Sequence, residues 1–207
     1  MHLVLTDLLT CPRCGPDQGL IVLAERIIDR RILEGSLGCP NCESQYRIAD
    51  GLADLRTADP VVAPESRRES PGGDDPMRLA ALLGVTQGPA YALILGNAAG
   101  VAAEIAALVP GMEVIVVREE IVEEAEQAGV SRLLVEDALP LRGGSLRAVL
   151  VGTGVFEPLT RDSLRVLAMG ARLVFALEHK WLEELVTAGV LRVLARDAEH
   201  VVTVRQR

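Results

Sequence analysis

Cys11-Pro12-Arg13-Cys14 and Cys39-Pro40-Asn41-Cys42 hold every cysteine of this 207-residue chain. Two thiolates spaced C-x-x-C sit on one tight turn and grip one side of an ion. A second such turn closes a tetrahedron, and a tetrahedral all-sulfur site favours zinc. The segment between the brackets, residues 15–38, is slightly longer than the usual ribbon spacing and folds readily into a hairpin. The same brackets would also serve two disulfides, a redox C-x-x-C or buried free thiols. No redox βαβ pattern surrounds either one, and nothing marks the chain as secreted. A structural zinc on Cys11, Cys14, Cys39 and Cys42 is therefore the expectation. Such a site is closed: four protein ligands leave no position for water or substrate. These cysteines hold a module together and carry no reaction.

Strands must bring the two turns together. Residues 20–24 and 30–37 read as partner strands that deliver the chain to the second bracket. Residues 46–48 read as a short strand stopped by Asp50-Gly51, a turn dipeptide. Residues 1–57 are thus expected to form a zinc ribbon, too small to bury a core of its own, so the metal supplies much of its folding free energy. Residues 58–76 are rich in Pro, Gly, Ser and charge and read as a linker that isolates the two cores. From residue 77 to 207 short apolar runs alternate with amphipathic stretches. Strands are expected at 91–95, 113–117, 132–135, 147–151 and 171–177, with helices to 108 and at 119–128, 161–168 and 181–187. Two closing strands, 191–194 and 200–204, read as an antiparallel pair. All-apolar strands alternating with helices imply a mostly parallel, Rossmann-like α/β sheet covered on both faces.

Composition narrows the function. Hydrophobic residues make up 49% of the chain, enough for a real core, but aromatics only 2%. That argues against base-stacking platforms for single strands. The net charge of −8 disfavours a broad phosphate-binding face, which leaves weak, nonspecific RNA binding as the expectation. Lys180 is the only lysine. No stretch approaches a membrane span, and the start lacks a basic leader. The chain is expected in the cytoplasm, where thiols stay reduced and free to bind metal.

Two resemblances rest on quoted residues. Leu8-Leu9-Thr10-Cys11-Pro12-Arg13-Cys14 and Leu37-Gly38-Cys39-Pro40-Asn41-Cys42, followed by Tyr46-Arg47-Ile48-Ala49-Asp50-Gly51, resemble the small zinc-ribbon family that includes the activator subunit of eukaryotic tRNA and protein methyltransferases. The resemblance implies a module without catalytic activity that stabilises methyltransferases by docking against them. Residues 77–207 resemble a class I S-adenosylmethionine-dependent methyltransferase domain. The likeness lies in strand order, the glycine-containing first loop, Leu134-Val135-Glu136-Asp137-Ala138-Leu139-Pro140-Leu141, and Val149-Leu150-Val151-Gly152-Thr153-Gly154-Val155-Phe156-Glu157-Pro158-Leu159. It implies a seven-stranded sheet and a cofactor cleft lined by Gly96, Asn97, Gly100, Glu119 and Asp137.

The departures from that family are specific. Ile94 stands where the family has an acid before the glycine loop. Ala98 stands where it has a glycine, so a Cβ is expected to crowd the cofactor. Arg118 replaces the acid that grips the ribose hydroxyls, although Glu119 or Glu120 would substitute if the strand ended one residue later. Asp137 keeps the place of the adenine-edge acid. Elsewhere, Glu119, Glu120, Glu123, Glu124 and Glu126 read as a solvated helix face. Arg26, Arg30 and Arg31 read as solvated charge, and His2, His179 and His200 have no local partners. The favoured expectation is a non-catalytic accessory or scaffold protein, a pseudoenzyme acting through protein contacts and linked to methylation or translation. Its partner would be a methyltransferase or a second copy of itself. The alternative is an active S-adenosylmethionine-dependent methyltransferase, on RNA or protein, with an N-terminal zinc ribbon.

Overall fold

A computed structural model describes residues 1–57, 75–118, 125–176 and 180–206. The N-terminal strands are β1 (Ile21–Ile28), β2 (Arg31–Gly38), β3 (Gln45–Ala49) and β4 (Leu52–Asp54). Helix α1 (Pro76–Leu83) follows, then β5 (Ala90–Leu95), α2 (Ala102–Leu108), β6 (Met112–Arg118), β7 (Val130–Leu134) and β8 (Leu146–Val151). The chain closes with α3 (Glu157–Val166), β9 (Leu167–Phe175), α4 (Lys180–Thr187), β10 (Leu191–Arg196) and β11 (Val201–Arg205).

All eleven strands belong to one sheet, in the order β1-β2-β3-β4-β7-β6-β5-β8-β9-β11-β10. Seven strands were expected. The surplus comes from the N-terminal segment, whose antiparallel strands β1 to β4 extend the sheet instead of forming a separate one. The junction is β4, which lies parallel to β7 with Leu52 opposite Arg132, Ala53 opposite Leu133 and Asp54 opposite Leu134. The sheet is thus only partly parallel: β4 through β9 run parallel, and both ends are antiparallel.

Strand β4 depends on the turn before it. Asp50 and Gly51 take φ of 47° and 74°, the left-handed pair that a tight hairpin requires. A Cβ on Gly51 would also meet a Glu126 carboxylate oxygen at 1.9 Å. Asp50-Gly51 therefore reverses the chain into a further strand, where an end of structure was expected.

Helices α1 and α2 cover one face of the sheet, through Leu79, Leu83, Ile105 and Ala106 against Ile94, Val114, Val116, Leu150 and Val174. The other face carries α3 and α4, and its core runs on without interruption into the N-terminal segment. Leu5, Leu9, Leu37, Tyr46 and Ile48 belong to the same buried cluster as Leu93, Ile115, Leu133, Val149, Phe175 and Trp181. The expectation of two cores isolated by a linker gives way to a shared one. Of the expected linker, Asp75 caps α1 by accepting from the Met77 amide, and Pro76 is that helix's first residue; residues 58–74 lie outside the described residues. Residues 125–128, expected as the end of a helix, are not helical. Among the described residues no helix is long and apolar enough to cross a membrane.

A shared core makes a testable statement about cooperativity. Leu9 is fully buried, so Leu9→Ala should destabilise the chain by about 2–5 kcal/mol. Denaturation followed by Trp181 fluorescence and by far-ultraviolet dichroism should shift together, as one transition. Two separated transitions would show that the N-terminal segment folds alone.

Candidate metal centre and the carboxyl end of the sheet

Each cysteine bracket is a turn built by backbone hydrogen bonds. The Cys11 amide donates to the Gln18 carbonyl (2.7 Å) and the Gly15 amide to the Cys11 carbonyl (2.9 Å). In the second turn, at the ends of β2 and β3, the Cys39 amide donates to the Ser44 carbonyl and the Glu43 amide to the Cys39 carbonyl, both at 2.9 Å. The four sulfurs converge. Cys11 and Cys42 are 3.6 Å apart, Cys14 and Cys39 are 3.8 Å apart, and all four lie within 4.8 Å of one another. A tetrahedral zinc with bonds near 2.3 Å needs sulfurs roughly 3.8 Å apart, so the donor set fits such an ion. Around the sulfurs, the Asn41 amide nitrogen donates to Cys14 (3.3 Å), and Tyr46 lies 3.5 Å from Cys11 through its hydroxyl. Such contacts orient ligands and stabilise thiolate charge.

The thiols do not share their protons evenly. Hydrogen bonding with the Ser44 hydroxyl and backbone pulls Cys42 down to about 6. Asn41 acts to lower Cys14, but Cys42, burial, Cys39 and Cys11 outweigh it and push Cys14 up to about 12. Cys42 thus gives up its proton easily, while Cys14 holds its own through contacts with the neighbouring sulfurs. A bound dication would favour the thiolate form of all four cysteines.

The first bracket is fastened to the loop that follows β7. The Thr10 amide donates to the Pro140 carbonyl (2.9 Å), the Arg142 amide to the Leu8 carbonyl (2.8 Å), and Leu9 bridges Leu141. Thr57, at the far end of the N-terminal segment, donates to Glu136 through both its amide (3.2 Å) and its hydroxyl (2.7 Å). From the opposite side Arg165 donates to the carbonyls of Leu139 and Leu141, each at 2.6 Å.

At the carboxyl end of β5, Gly96, Asn97 and Gly100 share one 3-10 turn, Gly96–Val101. Asn97 closes that turn onto the loop after β8. Its amide donates to the Thr153 carbonyl (3.2 Å), its side-chain oxygen accepts from the Thr153 amide (2.8 Å), and the Gly152 amide donates to the Leu95 carbonyl (2.9 Å). The fit is tight: a Cβ on Gly152 would meet the Asn97 oxygen at 2.4 Å, and one on Gly96 the Thr153 carbonyl at 2.3 Å. These contacts join the loops at the carboxyl ends of β5 and β8 to each other in one seam.

Asp137 is exposed on the loop after β7, two strands from β5. Glu119 lies outside the described residues, as do Glu120, Glu123, Glu124 and His179. Ala98 is buried in the core beneath α1 and α2, so its methyl faces the core; the expected crowding of a cofactor by that Cβ is not what the turn does. Ile94 is fully buried in the same core. Arg118 ends β6, half-buried, opposite Leu134.

Two residues read as solvated charge are instead locked between the N-terminal segment and the sheet. Buried Arg31 pairs with buried Glu113 (2.9 Å) and with Glu126. Ser131 donates to Glu113 (2.6 Å), and Arg132 donates to the Asp50 carbonyl and to Glu126 (3.5 Å). The His2 amide donates to Ser131 (2.9 Å), and its ring meets the Tyr91 hydroxyl (3.3 Å). Beside them, at the amino ends of β5, β6 and β7, a cavity of about 860 Å³ is lined by His2, Arg31, Tyr91 and Glu113 among others. The signal missed in the sequence was polar residues inside strands: Glu113, Ser131 and Arg132 interrupt apolar runs, and a buried charge needs a partner.

No family model and no curated protein matches this chain. Solved structures do. The MycE methyltransferase of the mycinamycin biosynthetic pathway, in complex with Mg and SAH, is 8% identical with a TM-score of 0.50, over 65% of this chain and 49% of that one. The fold is methyltransferase-like. The chain spans about half the length of that enzyme. The tRNA (m1A58) methyltransferase TrmI of Aquifex aeolicus is 20% identical, with a TM-score of 0.47 over 69% of this chain and 73% of that one. A structure of the Haloferax volcanii Trm112 methyltransferase activator with the chain described as its methyltransferase is 16% identical, with a TM-score of 0.48 over 63% and 88%. In the methyltransferase-like sheet of this chain, β5 and β8 lie side by side at the centre, and the Asn97 seam lies at their carboxyl ends.

Two predictions follow from these contacts. Purified protein should carry about one zinc per chain, and Cys39→Ser should lose it. Removing the metal with a chelator should speed amide exchange at Thr10 and Arg142, while the centre of β6 stays protected. Unchanged exchange at these amides would show that the bracket holds its shape without an ion. The second prediction concerns acid. Burial lowers the His2 imidazole below its ordinary 6.5, with Glu113 pulling the other way. A depressed value means that the neutral ring contributes stability above the unfolded value, lost as pH falls through the folded one. The melting temperature should therefore fall more in the natural protein than in His2→Gln between about pH 7 and pH 5. Equal pH profiles would show that the ring does not titrate against folding.

Proposed function

We propose that this protein is a non-catalytic accessory or scaffold, braced by a structural zinc, that acts through protein contacts beside methylation or translation machinery. The observation that carries this reading is the Asn97 seam. Ligands of open α/β sheets bind beyond the carboxyl ends of the strands, and here the loops after β5 and β8 are hydrogen-bonded to each other along that edge. Arg118 adds to it: a guanidinium only donates hydrogen bonds, whereas ribose hydroxyls call for an acceptor. The net charge of −8 favours protein partners over nucleic acid. A four-thiol site suits the reducing cytoplasm. Partners of this class are a methyltransferase or a second copy of the chain.

The test is calorimetry with S-adenosylmethionine. Each hydrogen bond that a ligand must forgo in a half-buried site costs about 1–3 kcal/mol. Breaking the seam and meeting Arg118 together should weaken a micromolar site by about a hundredfold or more. No heat of binding is expected at ordinary concentrations. Asn97→Ala should release the Thr153 amide to exchange, which checks that the seam was assigned correctly. Micromolar binding by the unaltered protein would overturn this reading and favour an active methyltransferase.

A further inference from the structure

The cavity of about 860 Å³ lies at the amino ends of β5, β6 and β7, at the opposite end of these strands from the Asn97 seam. Its size is that of a small-molecule site. The turn between β1 and β2 contributes one side, and Val4, Ile28, Pro89 and Met112 supply apolar walls. Val4 is 45% exposed and Ile28 51%, so a ligand seated against them would remove apolar surface from water.

The charges around it are matched. Arg31 pairs with both Glu113 and Glu126, and its remaining nitrogen donates to the Val130 carbonyl. Arg132 also reaches Glu126 (3.5 Å). The Met1 amine beside Glu126 is pulled down to about 6, chiefly by burial, and is mostly neutral at pH 7. Asp29 and Arg30 are neighbours in the chain and both exposed. An anion entering here would compete with Glu113 and Glu126 for Arg31. A cation would compete with Arg31 for the same carboxylates. Either would also give up its own hydration. The site therefore suits an uncharged molecule.

His2 and Tyr91 set what that molecule must offer. Tyr91 stays a phenol near pH 7, because burial and the Glu113 charge push it up to about 12. Among the described residues its hydroxyl meets only the His2 Nδ1, at 3.3 Å. Burial holds the His2 ring below its ordinary 6.5, so the ring is neutral there too. A phenol donating to Nδ1 leaves the ring proton on Nε2. No described residue accepts from Nε2. That N–H calls for an acceptor, and in an uncharged molecule a carbonyl oxygen supplies one. We propose that the cavity binds an uncharged, largely apolar compound through a carbonyl oxygen that accepts from His2 Nε2. The proposal does not depend on whether the opposite end of the strands binds a nucleoside.

The experiment is magnetic resonance of the isotope-labelled, zinc-loaded full chain, titrated with three compounds that share one phenylalkyl body. Benzylacetone carries a ketone, phenylbutyrate a carboxylate and phenylbutylamine an ammonium group. The ketone should shift the amides of Gly111 and Gly129, which line the cavity, saturably and with a dissociation constant of about 1 mM or below. The two ions should bind at least about tenfold more weakly. His2→Phe keeps a ring and removes its N–H, so it should weaken the ketone about fivefold to tenfold and leave the ions unchanged. Val4→Trp, on an exposed wall, should fill the cavity and abolish the shifts at an unchanged melting temperature, which decides the matter should His2→Phe disturb the fold. No saturable shift at about 10 mM ketone overturns the proposal. So do equal affinities for all three compounds, shifts confined to residues away from the cavity, or a folded His2→Phe protein that binds the ketone as before.

Discussion

Leu52, Ala53 and Asp54 run beside Arg132, Leu133 and Leu134, and this three-residue parallel contact turns two small sheets into one. Without it, the N-terminal strands would keep only one covered face and an extra raw edge. With it, hydrophobic side chains from both parts fill one cluster, and Leu9 and Leu133 belong to the same core. So short a pairing is weak by itself. It is held by charge at its flank, where Arg31 and Arg132 reach from either side to Glu126, and Gly51 leaves room for that carboxylate. Arg132, opposite Leu52, also donates to the Asp50 carbonyl, so the network ties β7 to the turn before β4.

The four-cysteine cluster and the sheet are thereby joined twice. The first bracket is strapped to residues 140–142, and Thr57 binds Glu136. The loop after β7 is gripped from one side by the cysteine module and from the other by Arg165. A closed four-sulfur site, inert in its own chemistry, can in this way govern the order of a segment at the carboxyl end of the sheet.

Much of this was legible in the sequence, for local reasons. The paired brackets announced the sulfur cluster because C-x-x-C turns are self-contained. The apolar runs announced the central strands because parallel strands buried on both faces need no alternation. What escaped notice was set by distance along the chain. Asp50-Gly51 signals a turn, but whether a strand follows depends on β7, about eighty residues later. Arg31 looked like one of several surface arginines because Glu113 is remote in sequence. Ala98 looked like an obstacle to a ligand because it stands where the resembled family has a glycine; in the 3-10 turn it is buried in the core, and Asn97 meets Thr153 instead.

Eleven strands are also many for one open sheet. Neighbouring strands rotate by about 20–25°, so ten steps accumulate roughly 200–250° between the two ends. Sheets this wide usually curl or split. This one has register breaks near both ends, at Ala24 and Arg26 of β1 and between Val193 and Ala195 of β10. Bulges concentrate twist where they occur. A third register break lies among the parallel strands, between Leu146 and Ala148 of β8 where it pairs with β9. At that average rotation the free edges of β1 and β10 face widely different directions, so the two ends of the sheet present separate surfaces.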